Sequence, residues 1–255
     1  MAQFIGIAGD FQKEKAINRR LNALMGFFMV FAAIVFVFGY IAGKTTLLWA
    51  FAALAVAIPA LWIMERQVDK QIRRARNEDN GAAGEREIIP FLTSLPDTFT
   101  VVSDLDFADS FGNIDQLVIG PTGVFAIDVK NWRGTVTADG KGELLQNGKP
   151  TDKALVRTFT RRVMDLKERL KALTKLDPYI QCVFVFTHTQ VEANWGTTGA
   201  VHCICIEKVV DYINKYRCSK PLPATDILRL VAAAKALKES IAGQGMNKPT
   251  EATRI

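Results

Sequence analysis

Gly112-Asn-Ile-Asp115-Gln-Leu-Val-Ile-Gly-Pro-Thr-Gly-Val-Phe-Ala-Ile-Asp128-Val-Lys130-Asn-Trp-Arg-Gly134 reads as two short apolar strands joined at a Gly-Pro-Thr-Gly turn. Ile114, Leu117, Val118 and Ile119, then Val124, Phe125, Ala126, Ile127 and Val129, have the β-branched and aromatic character of a sheet core. Pro121 and Gly123 supply the reversal between them. Asp115, Asp128 and Lys130 interrupt this apolar pattern. A carboxylate buried alone is costly unless it is paired or coordinates a metal. Strand side chains alternate with period two, so Asp128 and Lys130 share one face and Val129 takes the other. Two acids and a lysine converging at one sheet edge can hold a divalent cation and an activated water. The residues point to metal-dependent hydrolysis.

The elements on either side follow from periodicity. Glu85 to Leu95 reads as a helix with Ile88, Ile89 and Leu92 on its buried face and an irregular start at Pro90. Pro96-Asp97 ends it, and Phe99 to Val102 reads as a strand. Thr135 to Ala138 and Leu144-Leu145 add a small β extension around the Asp139-Gly140 turn. Lys153 to Leu173 is a long helix whose core stripe is Leu155, Phe159, Val163, Leu166 and Leu170. Tyr179 to Phe186 and Val201 to Ile206 read as strands, then Glu207 to Tyr216 and Ala224 to Ile241 as helices. Asp104, Asp106 and Asp109 lack the closing glutamate of a calcium loop and read as solvated loop acids.

The amino-terminal quarter has a different composition. Residues 24–43 and 45–64 are two runs of twenty residues without charge, separated by Lys44. Each would span about 30 Å as a helix, roughly the hydrocarbon thickness of a bilayer. Mean hydropathy is accordingly +0.11. The flanks are basic, with Lys13, Lys15, Arg19 and Arg20 before and Arg66, Lys70, Arg73, Arg74 and Arg76 after. The expected organisation is a basic, helical cytoplasmic N-terminus (1–21), a two-helix transmembrane hairpin (22–64) and a helical linker (65–80). A folded domain (81–242) and a flexible tail (243–255) complete it. The positive-inside tendency then places both termini and the domain on the cytoplasmic side of the inner membrane. A signal peptide is disfavoured, because the first run exceeds the usual apolar core and a second follows at once. Gly26, Ala32, Ala33 and Gly39 offer small faces for a homo-oligomer or a protein partner, although the hairpin's own packing needs them equally.

Charge is less informative than the isoelectric point of 9.2 suggests. Of the net +6, residues 1–64 carry +3 and the remainder +3. That is weak evidence for nucleic acid. The sharper feature is local: Arg157, Arg161, Arg162, Lys167, Arg169, Lys171 and Lys175 crowd the long helix. They form either a solvated face or a phosphate-contacting one. Two histidines, His188 and His202, exclude a multi-histidine zinc site within one chain. His188 reads as a surface residue. Cys182, Cys203, Cys205 and Cys218 lack paired Cys-x-x-Cys spacing and read as small buried hydrophobes.

Gly84-Glu85, the run from Gly112 to Phe125, and Ile127-Asp128-Val-Lys130-Asn-Trp-Arg-Gly134 together resemble the nuclease-related domain, NERD, placed among the PD-(D/E)xK nucleases. The resemblance extends from about Gly81 to Tyr212. It implies an α/β fold with a restriction-endonuclease-like mixed sheet flanked by helices, and the order of the elements above agrees. It also implies an active site of Glu85, Asp115, Asp128 and Lys130. The acid before x-Lys is often glutamate in that family and is aspartate here. Family members often carry a glutamine early in the next helix, whereas this chain reads Leu155-Val-Arg157-Thr158-Phe159.

Roles can be assigned on that basis. Asp115, Asp128 and Glu85 would bind Mg²⁺ or Mn²⁺ through carboxylate oxygens, with the Val129 carbonyl as a further ligand. Lys130 would orient the attacking water and offset charge growing on the phosphate. Arg133, Arg157, Arg161 and Arg162 are candidate nucleic-acid contacts. The expected function is a membrane-anchored nuclease acting on DNA in preference to RNA, with nucleic acid and the lipid bilayer as partners. The alternative is a catalytically inactive module of the same fold that binds nucleic acid or a protein partner at the membrane. Intact Asp115, Asp128 and Lys130 favour the enzyme, and the absent glutamine favours the binder.

Overall fold

A computed structural model describes residues 1–5, 26, 39, 66, 81, 83–105, 112–151, 154–192, 201–218 and 221–245. The expected hairpin and linker fall outside the described residues apart from isolated positions, as does the tail from residue 246. Among the described residues no helix is long and apolar enough to cross a membrane. The chain divides into two compact units, one of Met1–Gly9 with Ala83–Ile255 and one of Asp10–Ala82.

The first unit is a mixed α/β structure built on one eight-stranded sheet. Its middle is the hairpin expected from sequence: β3 (Ile114–Gly120) and β4 (Gly123–Ala138) pair antiparallel, with Gly120 opposite Gly123 at the turn. β2 (Thr100–Leu105) lies antiparallel to β3 on its other side. β4 does not stop where the hairpin does. It runs through Asn131-Trp132-Arg133-Gly134, shifting register between Lys130 and Arg133, and absorbs the segment expected as a separate extension. Its far end pairs with β5 (Leu144–Gln146), and β5 with β6 (Lys149–Pro150). β7 (Ile180–Val191) pairs parallel to β4, and β8 (Val201–Cys205) parallel to β7.

One strand was not expected. β1 (Gln3–Ile5) pairs parallel with β2, so residues 3–5 form a sheet edge and not the start of a helical lead-in. Their pairing partners are nearly a hundred residues away, which no local pattern reveals.

Helices cover both faces. α2 (Leu155–Thr174) and α4 (Ala224–Gly245) pack against each other and on one face. α1 (Ile89–Thr93) and α3 (Val209–Lys215) cover the other. Pro90 sits in the first turn of α1, where its missing N–H costs nothing. The alternation along β4 sorts the two cores: Val124 and Ala126 go beneath α2, and Phe125, Ile127 and Val129 beneath α1 and α3. The stripe of α2 is seated as its spacing predicts, with Phe159 stacked on Phe184 at 4.9 Å. Its first turn is capped from outside the helix. The Glu143 carboxylate accepts the Val156 N–H at 2.9 Å and the Arg157 N–H at 3.0 Å.

Candidate functional site

The alternation that sorts the cores also places the acids. Asp128 follows Ala126 on the α2 side of β4, and Asp115 precedes Leu117 on the same side of β3. Both are buried, as is Glu85 in the helical stretch 83–87, each at 4% exposure or less. So little contact with water makes each charge depend on its neighbours.

Those neighbours are specific. Lys130 Nζ forms an ion pair with Asp128 Oδ2, so the two groups that the strand period puts on one face do meet. Arg162, from α2, brings Nη1 within 3.6 Å of Asp128 Oδ1. The same Nη1 donates to the Asn113 carbonyl at 2.7 Å. Asp115 Oδ2 accepts the Val129 N–H at 2.7 Å, which ties β3 to the Asp-x-Lys segment at the centre of the site. Glu85 Oε2 is buried without a hydrogen-bond partner among the described residues.

Gly84 explains how Glu85 arrives there. A Cβ on Gly84 would stand 2.8 Å from the Asn131 Cβ, so only glycine lets the 83–87 backbone press against β4 immediately beyond Lys130. Asn131 is itself fixed, its Oδ1 accepting the Thr187 hydroxyl at 3.1 Å.

The electrostatics follow from this crowding. Burial first, then the charges of Asp115, Asp104 and Asp128, push the Glu85 carboxyl up to about 10, with Lys130 opposing. Burial and then Asp128 push Asp115 up to about 8. Lys130, the Val129 N–H and Arg162 pull it the other way. The four residues nominated from sequence are therefore within electrostatic reach of one another.

One member of the site was missed, and another was nominated in a different role. Asp104 is not a solvated loop acid. It lies in β2, half-buried, between the Ser103–Gln116 and Leu105–Ile114 pairs, and so falls across from Asp115. Its φ of 52° is in the left-handed region that aspartate tolerates better than most residues. Asp106 and Asp109 lie outside the described residues. Arg162 is the second. It stands three residues after Phe159 and four before Leu166, on the edge of the buried stripe, and that offset was the available signal.

Of the other nominated residues, Arg133, Arg157 and Arg161 are exposed. Lys167 and Lys171 pair with Asp177, and Arg169 with Asp165, as a solvated helix face would. His188 is a surface residue facing Glu87 at 3.3 Å. Burial pushes the Cys182 and Cys203 thiols up to about 12, as expected of small buried hydrophobes.

Among the described residues no group of three or more His, Cys, Asp or Glu side chains is gathered closely enough to hold a metal ion as placed. The donor chemistry nevertheless suits a hard cation. Three buried carboxylates offer oxygens of the kind such a cation takes, and among the described residues the buried Glu85 Oε2 has no hydrogen-bond partner.

Residues 80–187 match the family model described as the nuclease-related domain, NERD. The match contains Glu85, Asp115, Asp128, Lys130 and Arg162 and ends within β7. No curated protein and no solved structure matches the chain.

Proposed function

We propose that this chain is a divalent-metal-dependent nuclease of restriction-endonuclease-like fold, hydrolysing phosphodiester bonds in DNA in preference to RNA. The observation that carries this reading is the burial of Glu85, Asp115 and Asp128 beside Lys130, inside the segment that matches the nuclease-related domain. A solvated surface would leave these groups as ordinary ion pairs, whereas here they are concentrated where water is largely excluded.

Asp115, Asp128 and Glu85 would hold Mg²⁺ or Mn²⁺. A bound divalent cation supplies Lewis-acid stabilisation of the phosphoryl oxygens and lowers the pKa of the attacking water. The chain's own residues do the rest. Lys130 would orient the water and offset charge developing on the phosphate. The Val129 N–H holds the Asp115 carboxylate in one orientation. Arg157 and Arg161 lie one turn apart on the exposed face of α2 and, with Arg133, provide positive charge for a nucleic-acid backbone. The two apolar runs at 24–43 and 45–64 would anchor this domain to the cytoplasmic face of the inner membrane as a two-helix hairpin.

A second reading is favoured by one observation. Lys130 and Arg162 both engage Asp128, an arrangement that a catalytically inactive, nucleic-acid-binding module could keep permanently. The two readings separate in one assay. The full-length chain is incubated with labelled single- and double-stranded DNA and RNA in Mg²⁺, Mn²⁺ or EDTA, beside Asp128→Ala and Lys130→Ala. Metal-dependent cutting lost in both variants supports the nuclease. Binding without cutting, unchanged in both, supports the inactive module.

A further inference from the structure

We propose that Arg162 is a phosphate ligand held in reserve by Asp128 and released to the substrate when a divalent cation takes over that carboxylate. The proposal rests on the metal-dependent reading above and adds to it a coupling between cation and phosphate.

Three observations converge on this residue. First, Asp128 carries a cation on each oxygen: Lys130 on Oδ2, and Arg162 at 3.6 Å from Oδ1. The Arg162 separation exceeds hydrogen-bonding distance, so the contact is an electrostatic tether and not a closed bidentate pair. Second, a guanidinium has five N–H donors. Arg162 directs one nitrogen to the Asn113 carbonyl, while its buried Nε has no acceptor among the described residues. An unspent buried donor beside a cluster of acids is costly as a purely structural arrangement. Third, the guanidinium carbon lies 5.9 Å from the centre of the Phe159 ring, and the side chain is 12% exposed. The ring belongs to the core and supports the group without satisfying its N–H donors.

A planar fork with open donors, next to a lysine, suits two oxygens of a phosphate. While Asp128 keeps both cations, neither is fully available to an incoming anion. A divalent cation competes for the same carboxylate oxygens. Once it binds, Lys130 and Arg162 lose their shared counter-charge and turn to phosphate oxygens. Cation and phosphate then bind with positive cooperativity, each tightening the other by the same factor. The ligand class is a phosphate mono- or diester, without regard to base or sugar.

The test measures binding, not cleavage. Mn²⁺ affinity of the full-length chain is read by electron paramagnetic resonance with and without inorganic phosphate, for the wild type, Arg162→Gln and Arg162→Lys. In the wild type, phosphate should tighten Mn²⁺ about tenfold, within the usual range of coupling between sites. In Arg162→Gln, Mn²⁺ alone should bind at least as tightly as in the wild type, because a competitor for Asp128 is gone. The effect of phosphate should fall below about twofold. Arg162→Lys preserves the charge and removes the fork, so its coupling should be intermediate; it also serves if the glutamine variant does not fold. Weaker Mn²⁺ binding in both variants with coupling intact would overturn the proposal and leave Arg162 a structural ion pair. Equal coupling in all three proteins overturns it too. Absence of Mn²⁺ binding by the wild type would instead remove the metal-dependent reading, and this proposal with it.

Discussion

Gly84 and Asn131 touch so closely that a single methyl group on Gly84 would meet the Asn131 Cβ at 2.8 Å. That contact sets the distance between the stretch bearing Glu85 and the strand bearing Asp128 and Lys130. Gly84→Ala should therefore cost about 1–3 kcal/mol through overpacking. The larger effect should be on chemistry. Displacement of Glu85 by about 1 Å would lower phosphodiester cleavage up to about a hundredfold, measured beside thermal melting of the same variant. Reduced melting temperature with full cleavage would mean that Glu85 need not be held there.

The acids predict an unusual pH profile. Asp115 is raised from 3.8 to about 8 and Glu85 from 4.5 to about 10, so the folded chain holds protons that the unfolded chain has released. With no divalent cation present, stability should fall as pH rises from about 5 to about 9. Asp115→Asn keeps an acceptor for the Val129 N–H and removes one titration. Its melting temperature in EDTA should decline less over that interval and exceed that of the wild type at the alkaline end. A wild-type profile that rises with pH would contradict the buried acid cluster.

Glu143 caps α2 from a loop, taking the Val156 and Arg157 N–H groups on its two oxygens. A carboxylate at this end also complements the helix dipole. Glu143→Ala should cost about 1–2 kcal/mol in urea unfolding, near the upper range for a lost cap. Glu143→Gln should lose less, since its amide retains one acceptor.

The edge strand makes a fourth prediction. Gln3–Ile5 covers the outer side of β2, and the Gln3 N–H donates to the Phe99 carbonyl at 3.1 Å. Deleting residues 1–9 would leave β2 with an open edge, which templates association with other chains. The truncated protein should aggregate at concentrations where the full chain does not, as followed by light scattering. Equal behaviour would show β1 to be dispensable.

Much of this architecture was legible because it is local. The period-two runs around Pro121-Thr122-Gly123 identify β3 and β4, and the 3.6-residue stripe from Leu155 to Leu170 identifies α2. The same alternation put Asp128 and Lys130 on one face. What escaped depends on partners distant in sequence. β1 is three residues whose strand character comes from β2. Asp104 resembled a loop acid until β3 placed Asp115 opposite it. Arg162 reads in sequence as one of several candidate nucleic-acid contacts on a basic helix, and only the Asn113 carbonyl, 49 residues away, reveals which way it points. The continuity of β4 was hidden by Gly134, which reads as a break but is carried through by pairing with Thr189 on β7.

The parallel pairing of β1 with β2 also constrains everything between them. Parallel neighbours require a crossover, and here it comprises residues 6–99. Both uncharged runs lie within that crossover. A segment whose two ends are stitched into one sheet returns to the side from which it departs, so any passage through a bilayer within it would occur an even number of times. The stitch also imposes an order on biosynthesis. Residues 3–5 are synthesised before Thr100–Leu105 and have no strand to join until it follows, so β1 can form only once β2 is available.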